Sequence, residues 1–210
     1  MAFLRASAGP ESYVVRGATV GLRPLQVADY APWAELRAQS RDHLQPFEPR
    51  WPSDELLKSA YRRRLRHYQR ELREDLGYAF GIFSLADDRL VGGVSLSNVR
   101  RGVTQAAQLG YWLGSPHLRK GYMADAVAAI LPYTFFGLRL HRVEAATLPT
   151  NGSSVRVLER NGFEREGYAR RYLKINDDWH DHILFALLVE DYRTPDRAAP
   201  VERPQRVISQ

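Results

Sequence analysis

The segment running Gln108-Leu109-Gly110-Tyr111-Trp112-Leu113-Gly114-Ser115-Pro116-His117-Leu118-Arg119-Lys120-Gly121-Tyr122-Met123-Ala124 constrains this chain more than any other. An apolar strand breaks at Gly114-Ser115-Pro116, and a basic turn holding Gly121 opens a long helix. The free amides of that helix's first turn, the positive end of its dipole, and the side chains of Arg119 and Lys120 all bear on one point. A backbone built this way makes a seat for a diphosphate, so a phosphate-bearing cofactor is the first expectation. Gly121 stands alone, which fits neither the G-x-G-x-x-G dinucleotide fingerprint nor a P-loop lysine motif. The plainer alternative is a cationic surface turn ahead of an ordinary helix.

A chain of 210 residues with 44% hydrophobic and 26% charged residues suits one globular domain with a sizeable core. Its net charge of +6 favours acidic partners, whether phosphate-rich cofactors, acidic peptides or RNA, without selecting among them. The arginines between Tyr61 and Arg73, and the pair Arg170-Arg171, read as solvated faces of regular elements, and no RNA-module signature accompanies them. The absence of cysteine excludes disulfides, thiolate metal sites and a cysteinyl acyl intermediate. Met1 to Ala6 lacks the apolar core of a signal peptide. The longest apolar run, Ala126 to Leu138, is too short to span a bilayer and contains Pro132. A soluble cytoplasmic protein is the resulting expectation.

Along the chain, residues 1–13 read as a flexible leader, 14–192 as the folded domain, and 193–210 as a disordered Pro- and Arg-rich tail. A strand near Val20 to Pro24 precedes a helix from Asp29, whose side chain can cap it, to Ser40. A second helix is expected after Ser53, with Asp54 and Glu55 in its first turn. Leu57, Tyr61, Leu65, Tyr68, Leu72 and Leu76 should form its buried stripe, with the arginines between them facing water and Gly77 ending it. A β-meander follows over Tyr78 to Leu85, Arg89 to Val99 and Gln105 to Leu113. The long helix from Tyr122 should bury Met123, Val127, Ile130 and Thr134 and kink at Pro132. His141 to Leu148 is a strand, Gly152 to Asn161 a short helix, and Phe163 to Leu173 with Trp179 to Val189 a hairpin. Interleaved strands and helices give an α/β layered fold on a mixed sheet, with the ligand expected at the carboxyl end of the strand ending at Leu113.

These features, in this order, resemble the GNAT superfamily of acyl-CoA N-acyltransferases, and within it the Rim-type enzymes that acetylate ribosomal protein N termini. The resemblance runs from Leu22-Arg23-Pro24 to the last strand. It rests on Leu109 to Leu113, the seat Leu118 to Ala124, Arg142-Val143-Glu144-Ala145, Asn151-Gly152-Ser153-Ser154, and Val157 to Phe163 with Glu166-Gly167 after it. Phe47-Glu48-Pro49-Arg50-Trp51-Pro52 also looks like the early loop of the Rim type. Two positions depart from the usual seat: Leu118 stands where arginine or glutamine is common, and Met123 where glycine or alanine is common. The methionine side chain is expected to crowd the diphosphate.

The resemblance implies a mixed, mostly antiparallel central sheet, helices on both faces, a splayed strand pair, and acetyl-CoA as cofactor. It assigns cofactor contacts to Tyr111, Leu113, Arg119, Lys120, Gly121, Tyr122, Met123, Ala124, Asn151 and Ser154. The Tyr111 amide would polarise the thioester carbonyl, Leu113 would pair with the pantetheine arm, and Ser154 would donate a proton to the departing thiolate. A tyrosine acid seven residues after the asparagine, as in the Rim-type pattern, is missing, because Leu158 stands there. Glu144 leads the candidates for general base, followed by Glu48 and Glu166. Glu48, Trp51, Trp112 and Tyr172 are candidate walls of an amine pocket. No metal site is expected: His180 and His182 share a strand face that reads as solvent-facing.

The expected reaction is direct attack of an amine on the thioester, with a protein N terminus, and so possible ribosomal association, ahead of a small-molecule amine. A catalytically weak acyl-CoA sensor or an RNA-associated accessory protein is the alternative outside that class. An acidic, closed pocket would favour a small amine, an open groove a peptide end. Membrane partners are not expected, and oligomeric state stays open.

Overall fold

The computed structural model describes residues 13–192, so the tail, and the leader up to Glu11 and Ser12, lie outside the described residues. Tyr13, placed by the sequence reading in the leader, packs its ring on Phe83 and over Gly21, where any Cβ would collide with it. In chain order the elements are β1 (Val15–Arg16), β2 (Val20–Arg23), α1 (Tyr30–Gln39), α2 (Arg41–Leu44), α3 (Lys58–Arg73), β3 (Tyr78–Ser84), β4 (Leu90–Arg100), β5 (Ala106–Leu113), α4 (Tyr122–Pro132), β6 (Arg142–Thr147), α5 (Gly152–Arg160), β7 (Glu164–Ile175) and β8 (Asp178–Leu188).

The strands form one sheet in the order β1-β2-β3-β4-β5-β6-β8-β7. Every neighbouring pair is antiparallel except β5 and β6. This is the mixed, mostly antiparallel α/β architecture the resemblance implied. At the β7–β8 turn, Asn176 and Asp177 take φ of 45° and 74°, as a two-residue hairpin turn requires.

Strand periodicity sends neighbouring side chains of β5 to opposite layers. Leu109 joins the large core formed with Met123, Ala126, Val127, Ile130 and Leu131 of α4 and with Val155 and Leu158 of α5. Trp112 packs against the smaller cluster of Trp33 and Leu36 from α1, Tyr61 and Leu65 from α3, Phe83 and Leu90. Gly93 makes room for that indole, since a Cβ there would lie 2.5 Å from Trp112 Nε1.

Five local expectations need correcting. Helix α3 starts at Lys58, and the preceding turn places Glu55 in the interior, ion-paired to Arg37 and Arg64. Of the expected stripe only Tyr61 and Leu65 are buried, while Leu57, Leu72 and Leu76 are exposed, because the helix overruns the small cluster it covers. Arg64 accordingly is partly buried rather than fully in water, its guanidinium over the Trp33 ring at 5.1 Å. Asp29 makes no side-chain cap to α1; its carboxylate takes the Gln26 amide at 2.7 Å and two bonds from Arg23 at 2.8 Å. Pro132 ends α4 rather than kinking it. A π-turn over Tyr133–Gly137 follows, widening where the missing N–H leaves the α pattern unsupported.

Asp125, in the first turn of α4, ties that helix to the β1–β2 turn. Its carboxylate accepts bonds from the amides of Ala18, Thr19 and Val20 and from the Thr19 hydroxyl. An acid close to the basic turn is therefore occupied by donors of its own.

Candidate active site

The parallel ladder between β5 and β6 covers only Ala106–Gln108 against Arg142–Glu144. Beyond it, β5 continues to Leu113 and β6 to Thr147 without pairing to each other. The Gly114 amide donates to Val91 of β4, and the Trp112 carbonyl points at Gly92 of β4. Backbone alternation therefore turns the amides of Tyr111 and Leu113 the other way, into the gap. A cavity of about 200 Å³ occupies that gap, with Tyr111, Thr147, Leu148, Asn151, Ser154 and His182 on its walls.

At the end of β5 the chain turns into α4. Arg119 has φ 61° and Gly121 φ 83°, a left-handed pair that swings the backbone into the helix. No side chain caps α4, and the amides of Tyr122, Met123 and Ala124 have no acceptor among the described residues. Arg119, Lys120 and Gly121 are exposed beside them. The Met123 side chain is 7% exposed and belongs to the core, which corrects the expectation that it crowds the seat.

Across the gap, the Tyr111 hydroxyl lies 2.8 Å from Ser154 Oγ. Burial pushes the Tyr111 phenol up to about 12, and the bond to Ser154 offsets only part of that rise. Asn151 caps α5 by accepting the Ser154 amide at 3.1 Å, which fixes Ser154 at the cavity wall. Leu158 is fully buried.

A second cavity of about 400 Å³ shares Gly110 and Tyr111 with the first as lining. Glu48, Trp51 and Trp112 line it, with Arg37 behind them. Arg37 forms a two-pronged bond to Glu48 at 2.7 and 2.8 Å and reaches Glu55 at 3.2 Å. Its guanidinium also lies 4.2 Å from the Trp51 ring and 5.0 Å from that of Trp112. Trp51 Nε1 donates to Glu48 at 2.7 Å. The charged residues around this cavity are Arg37, Arg50 and Arg64 against Glu48 and Glu55, so it is not acidic.

Residues 19–164 match the acetyltransferase (GNAT) domain family. The chain belongs to the GNAT acetyltransferases. It is 42% identical over 178 residues to the probable N-acetyltransferase YjcK of Bacillus subtilis, covering 85% of this chain and 98% of that protein. It is 35% identical over 164 residues to the ribosomal protein uS5 alanine N-acetyltransferase of Escherichia coli, covering 78% and 84%. Among solved structures, Mycobacterium smegmatis RimJ in complex with CoA-disulfide superposes with a TM-score of 0.78 at 33% identity, over 84% of this chain and 85% of that one. As a GNAT enzyme the protein is an N-acetyltransferase that uses acetyl-CoA. The open amides at α4 and the unpaired edge of β5 are donors of the kind a diphosphate and a pantetheine arm require.

Other residues singled out in the GNAT sequence fall in different places. Glu144 lines neither cavity; both its oxygens are held, one by Arg100 and the other by Arg142 Nε at 3.0 Å. Glu166 is also outside both, on Arg142, whose guanidinium holds its carboxyl below the usual range. Tyr172 is exposed on β7 and lines neither cavity, its ring standing edge-on 5.9 Å from that of His182. His182, expected to face solvent, is 3% exposed and looks into the cleft. The sequence reading missed it because its burial depends on β7, β6 and α5 closing around it. Among the described residues, no group of three or more His, Asp or Glu is placed to hold a metal, and no helix is long and apolar enough to cross a membrane.

Proposed function

We propose that this enzyme acetylates a protein N-terminal α-amine, most naturally that of a ribosomal protein beginning with alanine or serine. The observation carrying the proposal is that two cavities share Gly110 and Tyr111 as lining, the outer one walled by aromatic rings and by three arginines against two glutamates rather than by acids. A polyamine or another small cation would call for net negative charge, which the three arginines deny it. An uncharged first residue between Trp51 and Trp112 is well matched. The name of the Escherichia coli relative supports the same acceptor class. Such work would lie in the cytoplasm, beside the ribosome.

Bound acetyl-CoA supplies an acyl group activated as a thioester. In this reading the amides of α4, with Arg119 and Lys120, hold the diphosphate, and the β5 edge at Leu113 holds the arm. The Tyr111 amide polarises the carbonyl where negative charge develops. The Tyr111 phenol, protonated at all working pH, donates to Ser154 Oγ and so leaves the serine proton directed at the sulfur. Glu48, already bonded to Arg37 and Trp51, orients the incoming terminus.

Thiol release from acetyl-CoA with a panel of acceptors tests the proposal. Decapeptides starting with alanine or serine should turn over well above a decapeptide blocked at its N terminus, spermidine or an aminoglycoside. Turnover confined to the small amines would overturn it, and CoA binding with no acceptor turning over would favour a sensor.

A further inference from the structure

The cleft between β5 and β6 needs a group that accepts a proton, and the leading carboxylate of the sequence reading is tied up elsewhere. Its walls are Phe47, Leu109, Gly110, Tyr111, the β6 end from Ala145 to Leu148, Asn151, Ser154, Leu158 and His182. Of these side chains only the histidine offers a basic ring nitrogen, since burial keeps the Tyr111 phenol protonated up to about 12. His182 Nδ1 lies 2.9 Å from the His180 carbonyl oxygen, which can only accept. Nδ1 therefore carries the hydrogen, and Nε2 presents a lone pair. Nε2 has no hydrogen-bond partner among the described residues. It is also not one of the sealed, unpartnered atoms, which are Arg23 Nε, Arg37 Nε, Arg100 Nε and the Tyr192 hydroxyl.

We propose that His182 is the general base of the transfer, its Nε2 taking the proton of the attacking amine directly or through one water in the cleft it shares with Tyr111 and Ser154. The proposal rests on the acetyl-transfer reading above. The amine lone pair forms the C–N bond to the acyl carbon, one N–H proton passes to Nε2, and the C–S bonding pair goes to sulfur. Ser154 gives its proton to the thiolate and is reprotonated through water by the imidazolium, so protons and electrons balance without another reactant. The groups facing His182 are compatible with this role. Tyr111 comes from β5, Ser154 and Asn151 from α5, Thr147 from β6, Phe47 from the early loop, and Tyr172 and Ala169 from β7. On its own strand, Asp181 is engaged by the Tyr168 hydroxyl and the Arg171 amide.

Three measurements test it. His182→Asn keeps a donor for the His180 carbonyl but removes the Nε2 lone pair. With an alanine-first decapeptide it should lower kcat about 100-fold, while the KM for acetyl-CoA stays within about two-fold. In His182→Ala, added imidazole should restore part of kcat. Separately, ¹⁵N NMR of the free enzyme should show the Nδ1-protonated tautomer at His182. An Asn variant with unchanged kcat, a change in KM alone, absence of imidazole rescue in an Ala variant that still binds CoA, or an Nε2-protonated ring would each overturn the proposal. A wild-type enzyme releasing no thiol with any acceptor would instead sink the acetyl-transfer reading, and the NMR result would still stand as a separate finding.

Discussion

Replacing Arg37 by methionine keeps much of the side chain's length yet leaves Glu48 and Glu55 without the cation between them. Arg37 is 4% exposed, so the loss uncovers two carboxylates in a place where water cannot fully replace the guanidinium. The expected cost is about 3–5 kcal/mol, read as a fall in the urea midpoint at unchanged m-value. Tyr111 and Ser154 make a second residue-scale case. If the phenol acts through the serine, Tyr111→Phe and Ser154→Ala should each lower kcat, and the double variant should fall no further than the worse single one. Independent, multiplying effects would show that the two hydroxyls act separately. The pH dependence has a definite sign. Burial raises the phenol, so its neutral form persists until about 12, and the rate profile of Tyr111→Phe should keep the wild-type shape through pH 10.

At the scale of elements, the turn into α4 and the strand before it were legible because their signals are local. A left-handed glycine, a Gly-Ser-Pro break and a run of alternating apolar residues need no partner to be read. The extent of α3 was misread for the opposite reason. Leu57, Leu72 and Leu76 continue the helical period, but only the sheet decides how long a stripe is covered, and it covers Tyr61 and Leu65. His182 and Glu144 show the same limit in the site. Alternation along β8 and β6 gives each a face, while the contents of that face come from α5 and β7 for His182 and, for Glu144, from Arg142 on its own strand and Arg100 on β4, 44 residues away. Asp125 was likewise invisible as a tether, its donors lying more than 100 residues away. Asp125→Ala should therefore destabilise the fold by about 1.5–3 kcal/mol, the range for bonds to a charged acceptor. Asn, which keeps one acceptor oxygen, should recover part of it in the same denaturation experiment. An alanine variant as stable as the wild type would mean that water satisfies the β1–β2 turn.

Over the whole molecule, the +6 charge is unevenly distributed with respect to function. The outer cavity balances its arginines with glutamates, whereas Arg119 and Lys120 at the head of α4 make no ion pair among the described residues. Removing both to alanine should raise the KM for acetyl-CoA several-fold at low salt and less at 0.5 M, where surface charges are screened. An acceptor site without net negative charge has a further consequence, because it does nothing to concentrate a protonated amine. The acceptor must arrive neutral or lose its proton in the cleft, so its own pKa governs the rate. For an alanine-first peptide, kcat/KM should rise with pH and level off near 8, the range where an α-amine becomes neutral. For the same peptide with a blocked terminus and an internal lysine, whose amine titrates near 10.4, it should remain low and still be climbing at pH 9. Equal plateaus for the two acceptors would mean that the enzyme deprotonates lysine as readily as a terminus, and the two-cavity argument for an N-terminal acceptor would fail with it.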